Sequence, residues 1–252
     1  TFAVVCFCIF SLSVLCPNSF GQSDGSAIDD GRAPAGSADS GYVLVTPLHS
    51  KETVLVTPGG NEHHVWTSAY EAASGAHLLA DGSILRVASG DLAPQYQGTG
   101  LRGGRVQRLG WSGEVLWDFW NAGTSSMVCG EALMLPNGNV LMTTAERRSQ
   151  EDALKAGRDR DRASARGLCL PGLLEVNPRG KDKASIVWKW SAWDHVMQDR
   201  NPHLPNYDPK REQYRRLDLT AFSNSVGLGA TRLAYDEGSD TVLITLPGIG
   251  EV

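Results

Sequence analysis

Short apolar runs broken by Asx-Gly turns recur along the chain. In residues 131–145, EALMLPNGNVLMTTA, apolar runs at 132–135 and 140–142 flank Pro136, Asn137, Gly138 and Asn139. An Asn-Gly pair between such runs is a strong hairpin signal, because both residues accept the left-handed backbone of a tight turn. The expectation is two antiparallel strands. Residues 77–88 repeat the pattern around Asp81-Gly82, and residues 232–245 repeat it around a longer turn that begins at Asp236.

Each of the first two hairpins is followed by a second pair of strand-like runs. These are 104–109 with 114–119, and 172–176 with 185–190. Trp117 and Trp188 occupy matching places in the two pairs, as do Phe119 and Trp190. A recurring four-strand unit with an aromatic at a fixed outer position predicts an all-β chain built as a β-propeller. Upstream, 42–46 and 53–57 are β-branched strands, and Pro58-Gly59-Gly60-Asn61 turns into a third at 62–66, which makes most of a first blade.

Three stretches break this rhythm. Residues 90–104 form a long glycine-containing loop, either a plain connection or a place for binding residues. Residues 147–166 favour a short helix from about Ser149 with Gly157 as its stop. Their Lys and Arg alternate with acidic residues, the pattern of a solvated helix rather than a phosphate-binding patch. Residues 191–219 carry Trp193, His195, Asp199, His203, Tyr207 and Tyr214. That excursion either covers one end of a central channel or is simply fastened to the blade beneath by its aromatic residues.

Composition adds little to the fold but narrows the partners. The 252 residues suit one large or two small domains, 41% apolar content supports a core, and a net charge of −5 offers no basic face to a nucleic acid. Residues 2–16 are apolar and uncharged but too short to span a membrane. They read as the core of a secretory signal peptide over 1–21 whose own start is missing, with cleavage after Gly21 preferred and lipoprotein processing before Cys16 the alternative. Residues 22–40 have almost nothing to bury and read as a flexible linker, which leaves 41–252 for the blades. Removal of the leader takes away Cys6, Cys8 and Cys16. Cys129 and Cys169 remain, and no spacing rule decides whether they pair. No metal-ligand spacing is present, so neither a metal nor a cofactor is expected.

Several residues are candidates for chemistry. His195 follows Asp194, which fits a structural hydrogen bond or acid–base work. His63 and His64 are adjacent on a strand and are expected to face opposite ways. His77 begins a hairpin and is expected to be partly exposed. A nucleophilic Cys129 would need a cationic neighbour to lower its pKa, and none is near it in sequence.

Five ordered stretches together resemble one family. GYVLVTP from Gly41, HVWTSAY from His64, GGRVQRLGWSGEVLWDF from Gly103, LPNGNVLMTTAERRSQEDALKAGRD from Leu135 and IVWKWSAWDHVMQDRNP from Ile186 are similar to the bacterial arylsulfotransferase (arylsulfate sulfotransferase) family. The resemblance runs over 41–252. It implies an exported, periplasmic or extracellular six-bladed propeller, about half of whose ring lies in this chain. The implied reaction moves a sulfuryl group from an aryl sulfate to a phenol through a sulfated histidine, without a nucleotide cofactor, and the implied partners are a small aromatic sulfate and a phenol.

The resemblance also places the site. The His-His-Asp that precedes the family's hairpin falls on Cys129, Gly130 and Glu131, and Cys129 is thereby expected at the channel mouth. The family's later His-x-Asn falls on Gly229, Ala230 and Thr231, its hairpin-closing Arg falls on Pro247, and its nucleophilic histidine falls beyond Val252. Of these only Glu131 keeps a comparable charge. The same blades with exchanged site residues also fit a non-catalytic secreted propeller that acts as a binding or scaffold module. A quinone-dependent dehydrogenase propeller is disfavoured, since no tryptophan docking repeat or calcium-site pattern is present.

Overall fold

The computed structural model describes the backbone of residues 3–7 and residues 41–210, 217–220 and 232–246 in full. Among these the chain is almost wholly β. Its first sheet is β2 (Val43–Val45), β3 (Glu52–Val56) and β4 (Glu62–Thr67). Two four-stranded antiparallel meanders follow: β5 (Ala72–Leu78), β6 (Ile84–Ser89), β7 (Gly104–Leu109) and β8 (Val115–Trp120), then β9 (Ser126–Met134), β10 (Val140–Arg148), β11 (Leu168–Arg179) and β12 (Lys183–Ser191). The hairpin β15 (Arg232–Asp236) with β16 (Thr241–Thr245) starts another sheet, along whose β16 edge the backbone of β1 (Ala3–Phe7) runs parallel. A short parallel pair, β13 (Val196–Met197) with β14 (Leu217–Asp218), lies between. None of the sheets closes on itself.

The three anticipated hairpins occupy equivalent places, each joining the first and second strands of its sheet. Their turns share one device. Asp81 accepts from Ser83 N–H at 3.1 Å, Asn137 from Asn139 N–H at 2.9 Å, and Asp236 from Gly238 N–H at 3.3 Å. Such a side-chain bond two residues on replaces a backbone turn bond and fixes the register of the strands that leave it.

The sheets stack face to face in chain order, so that the inner strands of the two middle ones are buried on both faces, while β8 and β12 stay largely exposed. Leu55 and Trp66 of the first meet Ile84 and Leu109 of the second. Leu85, Val87, Val106 and Trp117 of the second meet Val140, Met142, Leu174 and Val176 of the third. Leu141 and Leu173 of the third meet Leu233, Val242 and Ile244 of the fourth. Neighbours such as Ile84 and Leu85 thus serve opposite interfaces, and this is why the strands read as continuous apolar runs. Each fully buried aliphatic side chain contributes about 1.5–3 kcal/mol. Trp117 and Trp188 are equivalent as anticipated: each sits opposite the last residue before a register shift, Arg108 and Glu175 respectively.

First strands touch in succession, β2 with β5, β5 with β9, and β9 with β15. The long connections gather at the end of the sheets away from the Asx turns. Gln95 Nε2 donates to the carbonyls of Gly123 and Thr124, and Arg166 Nη1 reaches Gly98 O at 3.1 Å. Ser149 caps α1 (Gln150–Lys155) by accepting from Asp152 N–H at 3.1 Å, and Gly157 follows at φ +96°, as the sequence indicates. The expected solvated helix is found, with Glu151 and Lys155 exposed on α1, and Arg160, Arg162 and Arg166 beyond it are exposed as well. Arg158 is buried and donates to Leu219 O, and Arg162 donates to Thr220 O at 2.7 Å. These guanidiniums bind carbonyls that would otherwise be buried without partners, and so tie two excursions together.

Candidate functional site

The chemistry gathers where the first strands of three sheets meet. Glu131, on β9, is nearly buried, with 9% of its side chain exposed. Its Oε1 lies 3.0 Å from Nε2 of His77 on β5 and 3.8 Å from Nη1 of Arg232 on β15, and its Oε2 accepts from Leu233 N–H at 2.7 Å. One carboxylate therefore joins three sheets.

Gly130 is what turns Glu131 to this place. It has φ +80° inside a strand, where the register between β9 and β10 shifts between Met142 and Thr144. A glycine in the left-handed region is the means by which a bulge re-aims the next side chain. Thr143 completes the bulge, accepting from Glu131 N–H at 2.9 Å and donating to Cys129 O.

Burial works against the Glu131 carboxylate, but hydrogen bonds from His77 and from Leu233 N–H, with the His77 and Arg232 charges, outweigh it and hold the group below its ordinary range. When the imidazole is neutral, a carboxylate on Nε2 keeps the remaining proton there and leaves the Nδ1 lone pair available as nucleophile or base. The His77 side chain is 35% exposed and that of Arg232 74% exposed, so an anion arriving from solvent meets a guanidinium beside a polarised imidazole.

The sequence anticipated His77 only as a partly exposed residue at the start of a hairpin, and it gave no role to Arg232. Glu131 is the one position of the resemblance that carries charge here. Cys129 is placed differently from expectation. It is 3% exposed in an apolar cluster with Tyr96, Met127, Ala145 and Cys169, not at a channel mouth. Burial, with the neighbouring Cys169, pushes its thiol up to about 12, which removes the nucleophile. Both cysteines are free thiols. Gly229, Thr231, Pro247 and Tyr214 lie outside the described residues, as do all of the expected signal peptide and linker beyond the backbone of β1.

The other histidines are held by aromatic rings. His195 stacks on Trp190, with centroids 5.1 Å apart, in place of a hydrogen bond to Asp194. Trp193 beside it is buried and donates from Nε1 to Glu146 O at 3.0 Å, which fastens the excursion as one of its two readings anticipated. His63 and His64 do not separate cleanly. A register shift between Leu55 and Val56 leaves His63 without a cross-strand partner, and both rings approach Trp111, at 6.4 and 3.8 Å. Among the described residues no group of three or more His, Cys, Asp or Glu is placed to hold a metal ion, and no helix is long and apolar enough to cross a membrane.

No protein-family model matches the chain, and no curated protein matches it. Among solved structures it is similar to a protein of unknown function from Bacteroides caccae, at 15% identity and a TM-score of 0.36, over 60% of this chain. The chain spans 40% of the length of that protein.

Proposed function

We propose that the stacked sheets are successive blades of a six-bladed β-propeller of the arylsulfotransferase kind, and that the chain transfers a sulfuryl group from an aryl sulfate to a phenol. The His77–Glu131–Arg232 cluster is the observation that carries this reading. In this reading His77 Nδ1, and not the histidine that the resemblance places beyond Val252, attacks sulfur, the N–S bond forms as the S–O bond to the phenolate breaks, and the phenolate takes a proton from solvent. Glu131 stabilises the imidazolium produced, and Arg232 neutralises the sulfate oxygens as charge builds on the leaving group. A phenol oxygen then attacks the same sulfur, loses its proton to solvent, and returns His77 to its neutral form.

The test uses purified chain, 4-nitrophenyl sulfate and phenol. Phenol-dependent nitrophenolate release, abolished in His77→Asn with the fold intact, supports the reading. A folded protein with no turnover, or turnover that His77→Asn leaves unchanged, refutes it.

A second reading rests on the same carboxylate. Both Glu131 oxygens are already engaged, by His77 and by Leu233 N–H, which suits a structural brace in a non-catalytic binding or scaffold module. Catalytically silent protein that is strongly destabilised by Glu131→Gln favours it.

A further inference from the structure

The connection between β6 and β7 is not a bare crossover. Its neck is closed by the Gly90 N–H bond to Gly103 O at 2.8 Å, and its far side is pinned by Tyr96, whose hydroxyl donates to Ala145 O at 3.1 Å. Gly103, at φ +143°, lies so close to Val128 O that a Cβ would come within 2.1 Å of it, so the loop is pressed against β9. Between these anchors the loop borders an open pocket of about 340 Å³. That volume is at the small end of the range for ligand pockets.

Leu92, Leu101 and the buried Tyr96 give the cavity an apolar wall. Ser89 also lines the cavity, although its Oγ is itself shielded from solvent. Arg102 supplies the charge. It is exposed, lines the cavity and makes no ion pair among the described residues, and no acidic side chain lines the cavity with it. The nearby Arg105 is committed to Asp118 and to the Tyr70 ring, 4.0 Å away.

We infer that this cavity binds a small organic carboxylate with an apolar body. The planar guanidinium of Arg102 takes the carboxylate in a bidentate pair, and the body rests on Leu92 and Leu101. The site uses none of the three residues of the first-strand cluster, so it stands whether or not sulfuryl transfer does.

NMR titration of the full chain with sodium benzoate tests it, with benzamide and inorganic phosphate as comparisons. Saturable benzoate shifts confined to residues 89–103 are expected. Benzamide and phosphate should each bind at least about tenfold more weakly, since one lacks the charge and the other the body, and Arg102→Gln should weaken benzoate by a similar factor. His77→Asn should leave it unchanged. No saturation by benzoate, equal binding of benzamide or phosphate, or an unaltered affinity in folded Arg102→Gln would overturn the inference.

Discussion

His77 and Glu131 are 54 positions apart in sequence, yet Nε2 of one lies 3.0 Å from Oε1 of the other. The contact bridges the first strands of consecutive sheets, so it depends on how the sheets stack and not on either hairpin alone. Burying a charged acceptor is unfavourable unless donors surround it, and here the donors come from two flanking sheets.

Glu131→Gln should therefore destabilise the chain by about 1.5–3 kcal/mol, the range for charge-assisted hydrogen bonds, with Arg232 adding little because it is mostly exposed. Urea denaturation at neutral pH measures this. A midpoint that does not move means the carboxylate is dispensable.

The same residue sets a pH dependence. A carboxyl depressed in the folded state stabilises fully above its unfolded pKa, ordinarily 4.5, and the contribution is lost as pH falls through the lower folded value. The urea midpoint should drop below pH 4.5 in the wild type, and Glu131→Gln should flatten that part of the curve. Parallel curves in the two proteins contradict the assignment.

Gly130→Ala places a Cβ on a residue at φ +80°, with an expected cost of about 1–2 kcal/mol, and it disturbs the aim of Glu131. Gly138→Ala, at φ +81° in the Asn137 turn, carries the same backbone cost without touching the cluster. Thermal unfolding should show both losses, and only Gly130→Ala should lose the pH dependence just described.

Cys129 should resist modification. With its thiol pushed up to about 12 and its side chain buried, a thiol reagent at pH 8 should label native protein far more slowly than protein unfolded in guanidinium. Rapid native labelling at Cys129, located by mass spectrometry, counts against the burial described.

Much of the fold was legible in the sequence because its signals are local. An Asx side chain that caps its own turn acts within three residues, so Asp81, Asn137 and Asp236 each announced a hairpin in the right place. Ser149 and Gly157 did the same for α1. The site was less legible because bulges disturb the strand's alternation. Cys129, Gly130 and Glu131 stand against Thr143 alone, two residues more than regular pairing allows, which sends Cys129 into an apolar cluster and Glu131 toward His77, and the shift beside Val56 brings His63 and His64 to one tryptophan. Arg158 looked like surface charge, since the carbonyl it binds at Leu219 lies 61 positions away.

A double-mutant cycle on His77→Asn and Glu131→Gln, read by urea denaturation, tests most directly whether these two residues form one unit where the sheets meet. A coupling energy of about 1 kcal/mol or more is predicted for groups sharing a buried hydrogen bond. Losses that add to within about 0.3–0.5 kcal/mol, the behaviour of independent sites, would contradict it.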